Sequence, residues 1–347
     1  MSRTTDLPQQ LTGAPAGPAA RASDRRFDLK RYRELSLIPV LLVIGVIGFI
    51  ASPAFLTSDN LLGVAQQSTE LSLLVLAEAL ILICGRMDLS LESTIGVAPV
   101  IAVWLVLPAH GGRFNGLGLL PTWSAIPVCL LVGALIGAFN GFLILKLRLN
   151  GFIVTLGALT MLRGLQIAVS SGQSIVELPS SFTYLGRSSW LGAPAAIWIC
   201  ALLFLIGGSA LAWLRHGRAL YAIGGNSEAA RTAGIRVDRI TWIVLILAGL
   251  LAAFAGVLYT GHYGSISATQ GSGWIFQVFA ATVIGGVSLN GGRGTLFGAL
   301  TGVLTLQLVV NVMTLAGVPP LWNQFLNGAI IILALIISRF ASGEKQE

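Results

Sequence analysis

The chain of 347 residues is far more apolar than a soluble domain, with 55% hydrophobic residues, 10% charged residues and a mean hydropathy of +0.83. Soluble domains carry about 25% charged residues, so the composition excludes an ordinary soluble protein and predicts a membrane protein. The net charge of +7 does not indicate a nucleic-acid partner, because the basic residues fall between long apolar segments, as membrane topology requires.

Apolar windows long enough to cross a bilayer as helices, about 20 residues each, recur along the chain. The ten windows are 36–53, 61–84, 93–109, 124–145, 152–169, 195–214, 240–260, 274–290, 295–315 and 320–338. Long apolar runs favour helices over a β-barrel, whose strands alternate over about ten residues. We therefore predict an all-α polytopic membrane protein of about ten transmembrane helices within residues 35–340.

The basic residues predict the orientation of this bundle. Residues 1–34 are polar and basic, without an apolar core or a cleavage site, so they are expected to form a disordered cytoplasmic tail. With that tail in the cytoplasm, eighteen of the 21 Lys and Arg residues lie on the cytoplasmic side, as the positive-inside rule requires. The C-terminal tail, residues 341–347, is then cytoplasmic as well.

Polar side chains inside the predicted spans need an explanation, because Arg or Asp at mid-bilayer costs about 2.5–3.5 kcal/mol on insertion scales. Arg163 lies about 17 Å into the fifth span, where we expect it to face a water-filled path or to pair with Glu70. Such a pair could be a structural salt bridge or a substrate contact. The candidate translocation path comprises Gln66, Glu70, Asn140, Thr155, Thr160 and Arg163.

The segment 85–93 links the second and third spans on the predicted cytoplasmic side. Asp88 or Ser90 is placed to cap the first amides of the third span, which lipid cannot satisfy. The candidate cytoplasmic gate comprises Arg86, Asp88, Ser90 and Glu92.

Glycine recurs at every fourth position on the fourth and ninth predicted spans. The six glycines are Gly133, Gly137, Gly141, Gly294, Gly298 and Gly302. Glycines four apart allow close helix packing, either within the chain or between subunits. Their recurrence five spans apart also predicts an inverted repeat of spans 2–5 and 7–10, because an odd offset reverses direction.

The one long polar interruption in the middle of the chain runs from Arg215 to Arg239 and encodes a short helix. Asn226 or Ser227 is the predicted cap and Gly234 the predicted stop. A short cytoplasmic helix between spans is a handle through which a separate motor could move the membrane part. The candidate coupling residues are Gly225, Asn226, Ser227, Glu228, Ala229, Ala230, Arg231 and Gly234.

The chain lacks the motifs that would make it its own motor or an enzyme. No G-x-x-x-x-G-K-[ST] phosphate loop and no catalytic constellation is present, so any ATP is expected to bind another chain. Cys84, Cys129 and Cys200 are isolated in apolar segments, which favours neither a metal site nor a disulfide. The loops 170–194 and 262–274 are polar but poor in charge, and we expect both to lie outside, suited to a docking partner and a neutral solute.

Several motifs in one order resemble the permease subunit of the ribose/galactose-type ABC sugar importers of bacteria, over roughly residues 35–340. The matching segments are Asp88-Leu89-Ser90, Asn140-Gly141, Phe152 to Gly157 with Arg163-Gly164, Tyr221 to Asn226, Glu228 to Arg231 with Gly234-Ile235, and Val283 to Gly286 with Gly291 to Gly294. The resemblance implies a multi-pass inner-membrane protein without a cofactor. Its implied partners are a second copy of the permease, a cytoplasmic ATPase with two nucleotide-binding modules, and an external solute-binding protein.

The chain also departs from that family. The run from Glu228 to Gly234 resembles the coupling-helix signature of ABC importers, but no Ile-x-Leu-Pro follows it. Arg86 and Glu92 stand where these permeases usually carry glycine, and Glu78 stands in an apolar slot. We expect these three charges to pair with one another at the cytoplasmic gate.

The sequence thus predicts a permease that imports a sugar or sugar-like solute by alternating access, driven by a separate ATPase. A pentose, hexose, polyol, nucleoside or signalling sugar all remain open as the solute. The alternative is an ion-gradient-driven secondary transporter, for which Glu70 and Glu78 are the candidate ion ligands.

Overall fold

The computed structural model describes residues 38–108 and 114–319, together with scattered positions between 322 and 332. Within these residues, six helices are long and apolar enough to cross a membrane. They are Ser58–Ile83, Thr122–Lys146, Gly151–Val169, Ala195–Trp213, Val237–Tyr263 and Leu296–Leu315. Three shorter apolar helices, Pro39–Ala51, Leu91–Val106 and Trp274–Ile284, coincide with the first, third and eighth predicted spans.

The described residues form twelve α-helices and one β-hairpin, whose two strands have two residues each. The helices are α1 (Ile38–Ala51), α2 (Ser58–Ile83), α3 (Leu91–Val106), α4 (Ala125–Gly141), α5 (Gly151–Val169), α6 (Ser180–Arg187), α7 (Ala195–Trp213), α8 (Arg215–Gly225), α9 (Ser227–Thr232), α10 (Val237–Tyr263), α11 (Trp274–Ile284) and α12 (Leu296–Leu315). A 3₁₀ turn, Thr122–Ser124, precedes α4, and a π-helical turn, Phe142–Lys146, follows it.

The sequence-based spans were wrong in several details. The eighth was predicted to continue to residue 290, but α11 ends at Ile284, because Gly286 adopts a left-handed φ of +83° that terminates the helix. The predicted outer loop 170–194 contains α6 and the hairpin of β1 (Ser189–Trp190) with β2 (Ala193–Pro194). The predicted tenth span lies almost wholly outside the described residues, as do the tails 1–34 and 341–347.

The helices α2 and α10 form the centre of the bundle, and both are extensively buried. Helix α10 starts beside α9 and finishes beside α6, so these two short helices define an α9 end and an α6 end. The chain turns at residues 84–90, 147–150, 214–236 and 285–295 share the α9 end through contacts such as that of Gly224 with Ile83. These are the turns that the sequence predicts to be cytoplasmic.

The two glycine runs pack helices within the chain. A Cβ atom on Gly133 would lie 2.3 Å from the Gly249 carbonyl oxygen of α10, and one on Gly302 would lie 2.0 Å from the Ala281 carbonyl of α11. Glycine therefore lets the backbones touch, which is the packing interpretation of the pattern. Gly294 was wrongly assigned to the ninth span, because it has a φ of +130° and lies before α12.

Helices α3 and α11 both begin inside the bundle and run in opposite directions. Helix α2 stops at the α9 end of the bundle. Residues 84–90 then turn back into the bundle, and α3 runs from there to the α6 end. After α10 finishes at the α6 end, residues 264–273 lead inward, and α11 returns to the α9 end. The two first turns meet where Glu92 accepts a hydrogen bond from the Ile275 amide at 3.1 Å. Helices α3 and α11 thus enter the bundle from opposite ends, and the predicted inverted repeat of spans 2–5 and 7–10 stays a prediction.

Candidate transport site and coupling surface

A buried charge cluster joins the starts of α3 and α11 to the middle of α5. The Glu92 carboxylate forms an ion pair with Arg163 at 3.0 Å, and the two side chains are 8% and 16% exposed. Its other oxygen accepts the Ile275 amide of α11. Glu92 also lies in the first turn of α3, where unpaired amides favour a negative charge. One carboxylate thus ties together three helices.

Arg163 is further held by the segment that precedes α11. Its guanidinium donates to the Gln270 carbonyl at 2.7 Å and to Gln166 Oε1 at 3.3 Å. Gln166 in turn donates to the Ser267 carbonyl at 3.1 Å. Gln270 in the segment 262–274 is buried, and these donors satisfy the Gln270 and Ser267 carbonyls, which lipid could not do.

The sequence suggested that Arg163 could pair with Glu70, but the two side chains have different partners in the structure. Glu70 lies 3.0 Å from His262 Nδ1 and is itself buried. The rings of Tyr259, Tyr263 and Trp274 surround this pair, with centroid separations of 4.5 Å and 5.2 Å from Tyr259. The suggested pair was wrong because Arg163 contacts Glu92 at the start of α3 instead.

Asp88, Ser90 and Asn140 form a second buried polar cluster. Asp88 accepts hydrogen bonds from the Ser90 amide at 2.9 Å and from the Ser90 hydroxyl at 2.6 Å. Asn140 of α4 donates to Ser90 Oγ at 2.8 Å. Ser90 occupies the N-cap position of α3 without a capping side-chain bond, so Asp88 instead fixes the turn that enters the helix. Asn140 is therefore part of a packed cluster rather than of an open path.

The expected mutual pairing of Arg86, Glu78 and Glu92 is wrong. Glu92 pairs with Arg163, and Arg86 is exposed. Glu78 is fully buried, and its carboxyl oxygens have no hydrogen-bond partner among the described residues. The four predicted gate residues therefore separate into an exposed Arg86, the Asp88–Ser90 turn and the interior Glu92.

The six predicted path residues have separate partners in this structure. Gln66 donates to the Gly186 carbonyl at 3.3 Å, and Thr155 is buried and bonds to its own helix. Thr160 is exposed on α5. Gln166 and Gln270 were not predicted as site residues, although Gln166 is a polar residue between the apolar Leu165 and Ile167. His262 was not predicted as the partner of Glu70 either.

At the α9 end, the predicted short helix is present as α9. Asn226 Oδ1 accepts the Ala229 amide at 3.0 Å as the N-terminal cap. Gly234 follows the helix with a φ of +82°, and the Gly234 and Ile235 amides bond to the Arg231 and Ala230 carbonyls at 2.9 Å and 3.0 Å. This is the Schellman ending that the glycine predicts.

Helix α9 presents a continuous exposed face. Ala230 is buried against the bundle, whereas Ser227, Glu228 and Ala229 are exposed. Asp238 at the start of α10 pairs with Arg231, and it also lies 3.4 Å from Arg148 in the turn before α5. The hydrogen bond from Arg231 to Asp238 raises the pKa of Arg231, which therefore stays charged. Asp238 thus fixes α9 against two further segments.

A junction of glycine backbones connects α8 to the rest of the bundle. A Cβ atom on Gly224 would lie 1.9 Å from the Ile83 carbonyl oxygen and 2.5 Å from the Gly292 amide. Gly292 donates to the same Ile83 carbonyl at 3.0 Å, and the Tyr221 hydroxyl donates to the Gly294 carbonyl at 2.8 Å. The end of α8 is therefore in direct backbone contact with the end of α2 and with the loop after α11.

Comparison with known proteins identifies this architecture. Residues 60–335 match a family profile described as branched-chain amino acid transport system / permease component. The chain belongs to this permease family. The match covers every described helix from α3 to α12 and all but the first two residues of α2.

Curated relatives of the permease are similar over most of their length. The ribose import permease protein of Escherichia coli K12 is 33% identical over 321 residues, covering 91% of this chain and 97% of the relative. The autoinducer 2 import system permease protein of Klebsiella pneumoniae is 35% identical over 309 residues, covering 89% and 87%. The L-arabinose ABC transporter permease protein of Azospirillum brasilense is 30% identical over 339 residues, covering 98% and 97%.

These relatives are permease components of importers, so the chain is a transport component and a multi-pass protein of the inner membrane. The resemblance read from the motifs is confirmed at the level of the family. In the permease, the Glu92 cluster lies at the meeting point of two helices that begin inside the bundle, and α9 lies at the end of the bundle.

Proposed function

We propose that this permease imports a sugar or sugar-like solute by alternating access, driven by a separate ATPase that docks on α9. The observation that carries the proposal is the capped, exposed helix α9 in a chain whose relatives are ABC import permeases. The α9 end is then cytoplasmic, in agreement with the distribution of basic residues. The full topology has ten spans, including the short α1, α3 and α11.

The glycine junction supports a route for the force. A push on α9 moves α8, because only Asn226 separates the two helices. The end of α8 touches the end of α2 and the loop after α11 through Gly224, Ile83 and Gly292. A displacement there cannot be absorbed by side chains, since the contacts are between backbones. It therefore reaches α2 directly and reaches α11 through the loop after that helix, and α11 is one of the two helices that meet at Glu92.

The charge balance of the interior supports a neutral solute. Arg163 would attract an anion at the point where α3 and α11 begin, but Glu92 neutralises it at 3.0 Å. The relatives named for ribose, arabinose and autoinducer 2 are consistent with a polyhydroxylated solute. We therefore propose a neutral sugar-like molecule, delivered by an external solute-binding protein and passed between two copies of the permease.

The ion-driven alternative is less well supported by the geometry. Glu70 and Glu78 lie on one helix eight residues apart, which corresponds to about 12 Å. Glu70 pairs with His262, and no group of three or more His, Cys, Asp or Glu side chains suited to a metal ion occurs among the residues described.

Uptake into proteoliposomes tests the proposal. The permease is reconstituted with the ATPase and the solute-binding protein, with ATP enclosed or omitted and with protonophore and ionophore present. We expect accumulation that requires ATP and the ATPase and is insensitive to the collapsed ion gradients. Accumulation without the ATPase that disappears with the proton gradient would establish the ion-driven alternative.

Reversing the charge at Glu228 is expected to weaken ATPase docking. The side chain is exposed on α9, and no described residue forms a hydrogen bond or ion pair with it, so Glu228→Arg breaks no such contact with the bundle and changes only the charge in the first turn of α9. We expect reduced co-purification of the ATPase and reduced ATP-driven uptake at unchanged permease yield. Asp59→Arg makes the same charge change in the first turn of α2, and ATPase binding should then stay at the wild-type level.

A further inference from the structure

A basic cavity lies between α8 and the start of α10. Its volume is about 690 Å³, and four arginines and a histidine line it together with isoleucine side chains. The cationic residues are Arg215, His216, Arg218, Arg236 and Arg239. The side chains of Arg215, Arg236 and Arg239 form no hydrogen bond or ion pair with any residue that the structure describes, and Asp238 is engaged by Arg148 and Arg231. The positive charge of this cavity is therefore uncompensated.

A second cavity of about 530 Å³ adjoins the first on the other side of α10. Lys146, Arg148 and Asp238 line it, and Arg239 and Ile243 are shared by both cavities. Ile243 lies six residues into α10, about 9 Å above its start, and is 47% exposed; Leu247, one turn further along, is 45% exposed. Cationic groups thus stand at the base of an apolar, outward-facing stripe on a membrane helix.

The surroundings of the first cavity have the character of a membrane interface. Trp213 and Leu214, at the junction of α7 and α8, are 78% and 55% exposed. Helix α8 buries Gly217, Leu220 and Ile223 and turns its arginines outward. Exposed tryptophan and amphipathic helices with outward arginines are typical of the headgroup region of a bilayer.

We infer that this paired cavity binds the headgroup of an anionic phospholipid, with its acyl chains lying along Ile243 and Leu247 of α10. Basic recesses between membrane helices on the cytoplasmic side are suited to anionic headgroups. The group that the arginines bind is the phosphate diester of the headgroup. The apolar stripe above the arginines favours a lipid over a soluble phosphate. The site contacts α8 and Gly234, the stop of α9, so a bound lipid would brace the coupling surface.

Native mass spectrometry and lipid quantification of the full-length permease test this site. The protein is purified from vesicles of phosphatidylcholine containing a minority of phosphatidylglycerol, as wild type and as Arg239→Gln, Arg215→Gln/Arg239→Gln, Arg239→Lys and Arg86→Gln. Removal of each lining arginine should lower phosphatidylglycerol retention about five-fold, and the double variant about twenty-five-fold. Arg239→Lys keeps the charge and should retain most of the lipid. Arg86→Gln removes an exposed charge that lines neither cavity and should bind lipid as the wild type does.

Three results would overturn the inference. Equal retention in all variants would show that the arginines do not select the lipid. Displacement of phosphatidylglycerol by inorganic phosphate alone would assign the cavity to a soluble anion. Loss of the bound lipid when the ATPase is added would assign the cavity to the protein interface. The binding measurement does not depend on transport, so it can fail or succeed independently of the proposed function.

Discussion

Arg163→Ala is expected to destabilise the permease by about 3–5 kcal/mol and to abolish uptake, because it leaves the Glu92 carboxylate buried without its cation. It also removes the shorter of two hydrogen bonds to the Gln270 carbonyl, which hold the inward segment before α11. Thermal denaturation in detergent and ATP-driven uptake would measure the two effects. Thr160→Ala on the same helix removes only a bond to the Leu156 carbonyl and should leave both near wild type.

A double-mutant cycle separates the ion pair from general damage at this site. Glu92→Ala alone should also be destabilising, because the largely buried Arg163 guanidinium then has no carboxylate to pair with. The double variant Glu92→Ala/Arg163→Ala should be more stable than Arg163→Ala, since neither charge is left unpaired. Additive losses in the double variant would contradict the claim that the two side chains act as one unit.

Gly224→Ala is expected to abolish ATP-driven uptake, because the new methyl group would lie 1.9 Å from the Ile83 carbonyl oxygen. The end of α8 must then separate from α2, and overpacking of this kind costs about 1–3 kcal/mol. We expect a folded permease that still binds the ATPase but hydrolyses ATP without transport. Uptake and ATP hydrolysis, measured in the same proteoliposomes, report the uncoupling.

The neighbouring glycine provides a matched control. A Cβ atom on Gly225 meets no atom within 4 Å, so Gly225→Ala introduces the same methyl group one position along the same helix without a clash. Alanine is favoured over glycine in a helix by about 0.5–1 kcal/mol, so the control should be at least as stable as wild type. If both variants transport normally, the glycine junction does not carry the coupling motion.

Much of the fold could be predicted from features of single sequence segments, namely their apolar length and the signals at helix ends. Nine of the predicted spans coincide with described helices because their apolar length is a property of each segment alone. The α9 helix was predictable for the same reason, since Asn226 and Gly234 act on amides and carbonyls within a few residues. Membership of the permease family was also predictable, from several motifs in one order.

The site was less predictable because its contacts join distant segments. The pairing of Arg163 with Glu92 depends on α3 starting inside the bundle, and no local signal fixes that depth. The inward course of residues 264–273 depends on Gln166 and Arg163 from another helix. A polar segment with little charge has the same composition whether it is exposed or packed inside the protein, so composition alone could not predict that Gln270 is buried.

Cross-linking from Ala229→Cys tests most directly the claim that a separate motor drives the permease through α9. Ala229 is exposed beside Glu228, and a small side chain there is suited to close docking. In sealed vesicles that contain the assembled transporter, we predict a cross-link to the ATPase and labelling only by reagents that reach the cytoplasmic side. Labelling from the opposite side, or full uptake with no ATPase at α9, would contradict the account.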